Sequence, residues 1–445
     1  MTAMTLAAAP PGPPPVAAPL AWGCYRDCLD CIRRWGSAVP AWIVQSRCLA
    51  YAARRPCYDA SGRPVPGEGG RQATAPVALT GRVFFPPKWR VAWGAALPLV
   101  VYPHSTELRK DAVPSLFGGE EWALGAAAAA WYGFAVAMPD LPGMGGDAAD
   151  PHPFCHAQSL AYATVDCIPA ALAAFGADPA PEGRPSWNRR LFLVGYSEGG
   201  YAALATEREL ETHADAYGDQ GLAALAGSAC MAGPFDLSGT MRATFIDSRP
   251  YTKAYYLPYF VLGYHGVYGP RLDPLQVFAP DLLADGGDGN ILAWANGTRD
   301  GEEVDRGLGR RLGLPPDGIA LRLLFDPQWL AEELDDPAYA SSNAHGLLAE
   351  NDLLGGWAPT RPILFCQSPD DADVPYANTL AAMDGLERSI RQAGGDPAAL
   401  LHRLDLGRPG DGIDHTPGAY LALPAAFAWF YYGMPSVEIL RHLPR

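Results

Sequence analysis

Positive charge is scarce in this sequence. Its 445 residues hold 33 Lys and Arg against 48 Asp and Glu, which gives a formal net charge of -15 at pH 7. Proteins that bind nucleic acids or anionic membranes by electrostatic attraction need an excess of Lys and Arg. The balance therefore argues against a nucleic-acid-binding function and against attraction to a membrane surface.

Long hydrophobic runs are also lacking. The best candidate, residues 122–139, is short and contains two glycines, which divide it into a helix followed by a strand. Residues 1–20 are rich in Ala and Pro and carry no charge, so they predict a flexible lead-in. They lack the basic start and unbroken apolar core of a secretory signal. We expect no integral membrane segment and no clear signal peptide.

The cysteines are concentrated near the start of the chain, at Cys24, Cys28, Cys31, Cys48 and Cys57. The first three have the C-x3-C-x2-C spacing of some iron-sulfur enzymes, but they lie in an apparent amphipathic helix rather than in a loop. Local disulfides, which suit an oxidising compartment, are favoured over a cluster. Free buried thiols are the other interpretation.

From about residue 76, short apolar runs alternate with helical stretches. The predicted strands are 81–86, 97–103, 133–139, 190–197, 225–233, 361–368 and 400–406, and the predicted helices are 155–176, 199–215 and 376–394. Such alternation is typical of a mostly parallel sheet flanked by helices. The sequence therefore predicts an α/β core at 76–235 and 359–445, a Cys-bearing helical extension at 21–75, with 21–57 helical, and a helical insertion at 236–358.

The stretch Gly195-Tyr196-Ser197-Glu198-Gly199 joins a predicted buried strand to a predicted helix. A G-x-S-x-G sequence at such a junction is the nucleophile elbow, in which small flanking residues permit a sharp turn that exposes the serine. We therefore take Ser197 as the candidate nucleophile. A glycine-rich turn with an incidental serine is the alternative.

A nucleophilic serine needs a base and an acid that orients the base. In the fold that carries this elbow, they follow in the chain order Ser, Asp, His. Asp371 lies after a late strand, three residues before Val-Pro, and is the candidate acid, with Asp370 and Asp373 as competitors. His415 lies in a glycine-rich loop before the last apolar helix and is the candidate base.

Two backbone N–H groups are expected to stabilise the oxyanion, one from Glu198 and one from Thr106 or Ser105. The insertion contains an aromatic stretch in which Tyr255, Tyr259 and Phe260 are candidate substrate contacts, together with Tyr196 beside the nucleophile. Packing of these rings against one another within the insertion is an alternative of equal weight. For the side chain of Glu198, a structural role is favoured over contact with the leaving group.

These motifs resemble those of the α/β-hydrolases, and within that superfamily the secretory-lipase-type group and its bacterial relatives. The similar pieces are "YPHST", "PDLPGMGGD", "GYSEGGYAALA", "SPDDADVP" and "DHTPGAYLALPAAFAWF", in the correct order over about residues 80–433. The resemblance implies an α/β-hydrolase fold, esterase or lipase activity, and an insertion that acts as a cap over the acyl pocket. One departure is Ser105, where the group usually has glycine between His and Thr.

The leading hypothesis is a serine hydrolase that cleaves small-molecule or lipid carboxylic esters without a metal or organic cofactor. A peptidase or acyltransferase with the same triad is the alternative, and a non-catalytic binding protein is a third hypothesis. Cysteine content and the resemblance favour a secreted or periplasmic location, whereas the lack of a clear signal peptide favours the cytoplasm. Localisation and oligomeric state are left open.

Overall fold

The core of the protein is a mixed sheet, seen in a computed structural model that describes residues 18–35, 43–91, 94–176 and 185–434. Most of the predicted lead-in lies outside these residues. The eight strands run in the order β1-β2-β4-β3-β5-β6-β7-β8. They are β1 Gln45–Pro56, β2 Thr74–Phe85, β3 Ala96–Val101, β4 Ala135–Pro139, β5 Ser186–Tyr196, β6 Leu225–Met231, β7 Ile363–Gln367 and β8 Leu401–Asp405. β1, β2 and β4 pair antiparallel, and β4, β3 and β5 to β8 pair parallel.

Helices cover both faces of this sheet. They are α1 Ala18–Trp35, α2 Glu121–Tyr132, α3 Ala157–Gly176, α4 Glu198–Thr212, α5 Arg242–Ile246, α6 Tyr256–Tyr268, α7 Pro274–Val277, α8 Pro280–Leu283, α9 Ile291–Trp294, α10 Gly301–Leu312, α11 Pro327–Trp329, α12 Asn343–Ala349, α13 Ala377–Gln392, α14 Pro397–Leu400 and α15 His415–Tyr431. None of the helices in the described part of the chain combines the length and apolar character that a bilayer crossing requires.

The two faces have separate apolar cores. Along β5, Leu191 and Leu193 join a cluster with α3, α4 and α13, whereas Phe192 and Val194 join a cluster with α1, α2 and α15. Successive side chains of a strand point to opposite faces, so a continuously apolar strand serves both cores. The predicted sheet flanked by helices is confirmed.

The predicted helix over residues 21–57 is wrong in its second half. α1 ends at Trp35, and residues 45–56 form β1, which pairs with β2 along its whole length from Gln45↔Phe85 to Pro56↔Thr74. Ala and Arg favour helices locally, but strand pairing and burial of Leu49 and Ala53 against the sheet override that preference. This strand therefore belongs to the core sheet and not to a separate extension, and β2 begins seven residues before the predicted residue 81.

Between β6 and β7 the chain leaves the sheet. Residues 236–358 contain α5 to α12 and two short π-helical segments, Leu237–Met241 and Leu330–Leu334. The apolar side chains of this segment continue the cluster that covers one face of the sheet. Its aromatic rings stack on one another, as Phe260 and Tyr264 do at a centroid distance of 4.0 Å.

The early cysteines are unpaired where their side chains are described. Cys28 and Cys31 lie on α1, Cys48 lies on β1, and Cys57 follows β1, all four as free thiols. Cys24 lies outside the described side chains. Burial, aided by neighbouring Cys31, raises the pKa of the Cys28 thiol to about 11, which keeps it protonated and unreactive. The favoured expectation of local disulfides does not hold for these four residues.

Candidate active site

Ser197 lies at the tight turn between β5 and α4. Its backbone has φ 56° and ψ -126°, a conformation that non-glycine residues rarely adopt. The turn is held by the Ser197 N–H, which donates to the Met231 carbonyl at 2.9 Å. The surrounding sheet thus imposes a strained backbone on this one residue.

The glycines on either side of Ser197 are required by close backbone approach. A Cβ atom on Gly195 would lie 2.0 Å from the Gly199 carbonyl oxygen, and one on Gly199 would lie 2.3 Å from the Pro103 carbonyl oxygen. Any side chain at either position would force the turn open. The G-x-S-x-G spacing is therefore a steric condition for this geometry.

His415 bridges Ser197 and Asp371. Its Nε2 lies 2.9 Å from the Ser197 hydroxyl, and its Nδ1 lies 2.7 Å from Asp371 Oδ2. An ionised Asp371 accepts the Nδ1–H, which leaves Nε2 as the acceptor of the serine proton. All three residues are buried, with exposed fractions of 4% to 6%. This arrangement can withdraw a proton from the serine and retain it on an imidazolium.

Helix capping places the histidine. His415 is the first residue of α15 rather than a free loop residue, and Asp414 caps that helix by accepting the His415 N–H at 2.7 Å. The same Asp414 oxygen accepts the Ala372 N–H at 3.1 Å. One carboxylate therefore joins the loop that carries the base to the loop that carries the acid.

The three aspartates after β7 have different partners. Asp371 Oδ1 accepts the N–H groups of Asp373 and Val374, and its other oxygen accepts from Gln367 at 3.0 Å and faces His415. Asp370 instead accepts the N–H groups of Gly410 and Gly412 in a neighbouring loop.

Asp373 pairs with the segment 236–358. Its Oδ2 lies 2.5 Å from Lys253 Nζ, and its Oδ1 accepts from Thr252 at 3.1 Å. Of the three candidate acids, only Asp371 reaches His415 among the contacts of the described residues.

The candidate oxyanion donors differ in availability. Glu198 is the first residue of α4, so its N–H has no intrahelical acceptor one turn earlier. The Thr106 N–H has no acceptor among residues 18–35, 43–91, 94–176 and 185–434. The Ser105 N–H is already engaged, because it donates to Glu121 Oε2 at 2.7 Å.

The side chain of Glu198 is buried beneath the turn. Its Oε1 lies 2.6 Å from His152 Nε2 and accepts the Cys155 N–H at 3.3 Å. Burial opposes charge on His152, but the carboxylate of Glu198 and its hydrogen bond outweigh that effect and raise the pKa of the imidazole. The favoured structural interpretation of this side chain agrees with these contacts.

Two cavities meet at Ser197. The larger one, of about 370 Å³, is lined by polar groups that include Glu107, Lys253 and Tyr255. The smaller one, of about 40 Å³, has mostly apolar walls that include Phe154, Leu257 and Phe260. Thr106 lines both cavities, as Ser197 does.

The four predicted substrate contacts fall into three groups. Tyr255 and Tyr196 line the larger cavity, and Phe260 lines the smaller one. Tyr259 lines neither of them: its ring stacks on His152 at 5.6 Å, and its hydroxyl donates to the Glu107 carbonyl at 2.9 Å. The structure therefore places Tyr259 outside both cavities, as a packing residue beside the site.

Several residues that shape the site carry no sequence signal. Glu121 lies 16 positions after Ser105 on another element, and Lys253 comes from the segment between β6 and β7. Neither belongs to a motif, and only the folded chain brings them to the serine. No group of three or more His, Cys, Asp or Glu in the described part of the chain is arranged to hold a metal ion.

Comparison with known proteins identifies the fold. Neither the protein-family models nor the curated proteins compared with the chain match its sequence. A Legionella pneumophila protein assigned provisionally as a hydrolase superposes with a TM-score of 0.66 at 18% identity over 95% of this chain and 96% of that one. The chain has the α/β-hydrolase fold.

Two further structures of this fold are similar. LipA of Xanthomonas oryzae, a rice cell wall degrading esterase, has a TM-score of 0.62 at 24% identity over 90% of this chain and 93% of its own. Lipase A of Candida antarctica, in its closed state, has a TM-score of 0.52 at 15% identity over 91% and 83%. The predicted resemblance to lipase-like α/β-hydrolases is confirmed at the level of fold.

Proposed function

We propose that the protein is a serine hydrolase that cleaves carboxylic esters through Ser197, His415 and Asp371. The observation that carries the proposal is the continuous hydrogen-bonded chain from the Ser197 hydroxyl through His415 to Asp371, at 2.9 and 2.7 Å. The strained turn at Ser197 and the order Ser, Asp, His along the chain support it.

In the proposed reaction the Ser197 oxygen attacks the ester carbonyl while His415 Nε2 takes the serine proton. Asp371 holds the imidazole in the required tautomer and stabilises its cationic form. The tetrahedral intermediate collapses as His415 returns the proton to the departing alcohol, which leaves an acyl group on Ser197. Water, deprotonated by the same histidine, then releases the carboxylic acid.

The proposed oxyanion donors are the N–H groups of Glu198 and Thr106. Thr106 is preferred over Ser105 because the Ser105 N–H is bonded to Glu121. In enzymes of this chemistry the loss of one such donor raises the barrier by about 2.7–4 kcal/mol.

We assign the acyl group to the smaller cavity and the alcohol to the larger one. The smaller cavity has mostly apolar walls, which suit a hydrocarbon chain, and its volume of about 40 Å³ favours a short one. The larger cavity, of about 370 Å³, has walls of mixed polarity, whose polar groups suit an alcohol and admit the attacking water. Residues 236–358 contribute to both cavities and are proposed to cap the acyl side.

Hydrolysis of p-nitrophenyl esters from acetate to palmitate, by the wild type and by Ser197→Ala, tests this function. We expect cleavage of the short esters by the wild type and background rates for Ser197→Ala at an unchanged melting temperature. Equal activity of the two proteins would show that Ser197 is not the nucleophile. Absence of cleavage by a folded wild type would turn attention to amide substrates or to acyl transfer.

A further inference from the structure

The hydroxyl of Ser105 connects the two parts of the proposed oxyanion site. It lies 3.0 Å from the carbonyl oxygen of Tyr196 and 3.1 Å from Glu121 Oε1. Tyr196 immediately precedes the nucleophile, and Thr106 immediately follows Ser105 in the chain. A single side chain thus ties the loop after β3, which carries the Thr106 N–H, to the turn that carries Ser197 and the Glu198 N–H.

Glu121 holds the other side of this loop. The first residue of α2, it accepts the Ser105 N–H on Oε2 at 2.7 Å and the Tyr102 hydroxyl on Oε1 at 2.5 Å. Partial removal from water raises the pKa of this carboxyl, while the bonds from Tyr102 and Ser105 act in the opposite direction. Its position at a helix N-terminus also favours a negatively charged or strongly accepting group.

The geometry points to Ser105 and Glu121 as positioning residues that fix the Thr106 N–H relative to the Ser197 oxygen. Neither residue touches the reacting atoms in this assignment. The role rests on the proposed function, because it presupposes an oxyanion at this point. It also gives a purpose to the serine that stands where the group resembled by this sequence usually has glycine.

The physical reason is preorganisation. An oxyanion donor lowers the barrier only if it already points at the developing charge, and a displacement of about 1 Å can reduce the rate by on the order of 100-fold. A loop with a free N–H at Thr106 has one fewer backbone bond to hold it. The Ser105 hydroxyl and the Glu121 carboxylate supply the missing constraints from both sides.

Ser105→Ala tests this role because it removes the hydroxyl and leaves the N–H bond to Glu121. We expect kcat for p-nitrophenyl acetate to fall on the order of tenfold with little change in KM, since the lost constraint matters most in the transition state. The inhibition constant of an alkyl trifluoromethyl ketone, which forms a tetrahedral adduct with the serine, should rise by a similar factor.

Ser159→Ala is the matched control. It removes a buried hydroxyl that bonds His156 Nδ1 at 2.8 Å, on α3, with no hydrogen bond to the oxyanion loop. Its melting temperature should fall about as much as that of Ser105→Ala, while kcat and the ketone affinity stay at wild-type values. Glu121→Gln should lower kcat at least as much as Ser105→Ala, because its amide N–H groups face the donors of Ser105 or Tyr102.

The outcomes separate the two claims. Wild-type kcat and ketone affinity in Ser105→Ala, in an enzyme that still depends on Ser197, would overturn the positioning role and leave the proposed function standing. A wild type without Ser197-dependent hydrolysis would overturn the proposed function and this role with it. If Ser105→Ala does not fold, Ser105→Gly carries the same test with the same expected loss.

Discussion

The candidate active site has two sides, one formed by the core sheet and one formed by residues 236–358, which we call the sheet side and the segment side. The two are built differently. On the sheet side, the reacting groups follow strand ends and are held by hydrogen bonds, as Asp371 is by Gln367 and two backbone N–H groups. On the side of residues 236–358, the walls are mostly aromatic and aliphatic, as with Leu257 and Phe260. In the proposed function, the core supplies the reacting groups and the connecting segment shapes the space for the substrate.

The largest effect is expected on the sheet side, for Asp371→Asn. Loss of the carboxylate allows the wrong tautomer of His415 and should lower kcat by about 10⁴-fold at unchanged KM. Asp370→Asn is the matched control, because Asp370 accepts loop N–H groups and has no contact with His415 among the described residues. Steady-state kinetics of both variants on p-nitrophenyl acetate make the comparison. A comparable loss in Asp370→Asn would contradict the assignment of the acid.

On the segment side we expect altered selectivity rather than lost chemistry. Phe260 lies between the smaller cavity and a second apolar cavity of about 30 Å³. Phe260→Val should join the two, so that the ratio of kcat/KM for the decanoate ester to that for the acetate rises on the order of tenfold.

Tyr259→Phe keeps the neighbouring ring, which lines neither cavity, and should leave the chain-length ratio unchanged. An unchanged ratio in Phe260→Val would show that the acyl chain does not enter the smaller cavity. A changed ratio in both variants would mean that the whole of α6 shifts and that the two positions are not separable.

The smallest effect is expected for Glu107, which lines the larger cavity, and it concerns the pH dependence of stability. Burial, with help from Glu121 and Glu120, raises the pKa of this carboxyl to about 8. The unfolded chain has a carboxyl pKa of about 4.3, so the folded protein binds one more proton between these values and its stability falls as the pH rises through that window.

Glu107→Gln removes this titration. The melting temperature of the variant relative to the wild type should therefore increase by a few degrees between pH 5 and pH 9, as thermal unfolding at both pH values can measure. A difference that stays constant across this range would show that Glu107 titrates near its ordinary pKa.

The sequence is most informative where steric conditions are local. The elbow needs small residues on both sides of Ser197, so the spacing of Gly195 and Gly199 is enough to predict the turn. Apolar strands alternating with helices predict the sheet for a similar reason, because each strand must serve two cores.

The sequence is least informative where long-range pairing decides. Residues 45–56 have a helix-favouring composition and become β1 only through pairing with β2. Tyr259 and Phe260 are adjacent in the same aromatic stretch, and only tertiary packing turns the Tyr259 ring toward His152. Glu121 belongs to none of the motifs, so its hydrogen bond to the oxyanion loop cannot be predicted from their spacing.

The most direct test of the central claim is covalent labelling with a fluorophosphonate. The Ser197 oxygen should displace fluoride at phosphorus, and intact mass followed by peptide mapping should show one adduct per chain at Ser197, with activity lost in proportion. His415→Gln should label far more slowly, because the serine then lacks its base. An adduct on another residue, or full ester cleavage by a chain labelled stoichiometrically at Ser197, would contradict the account.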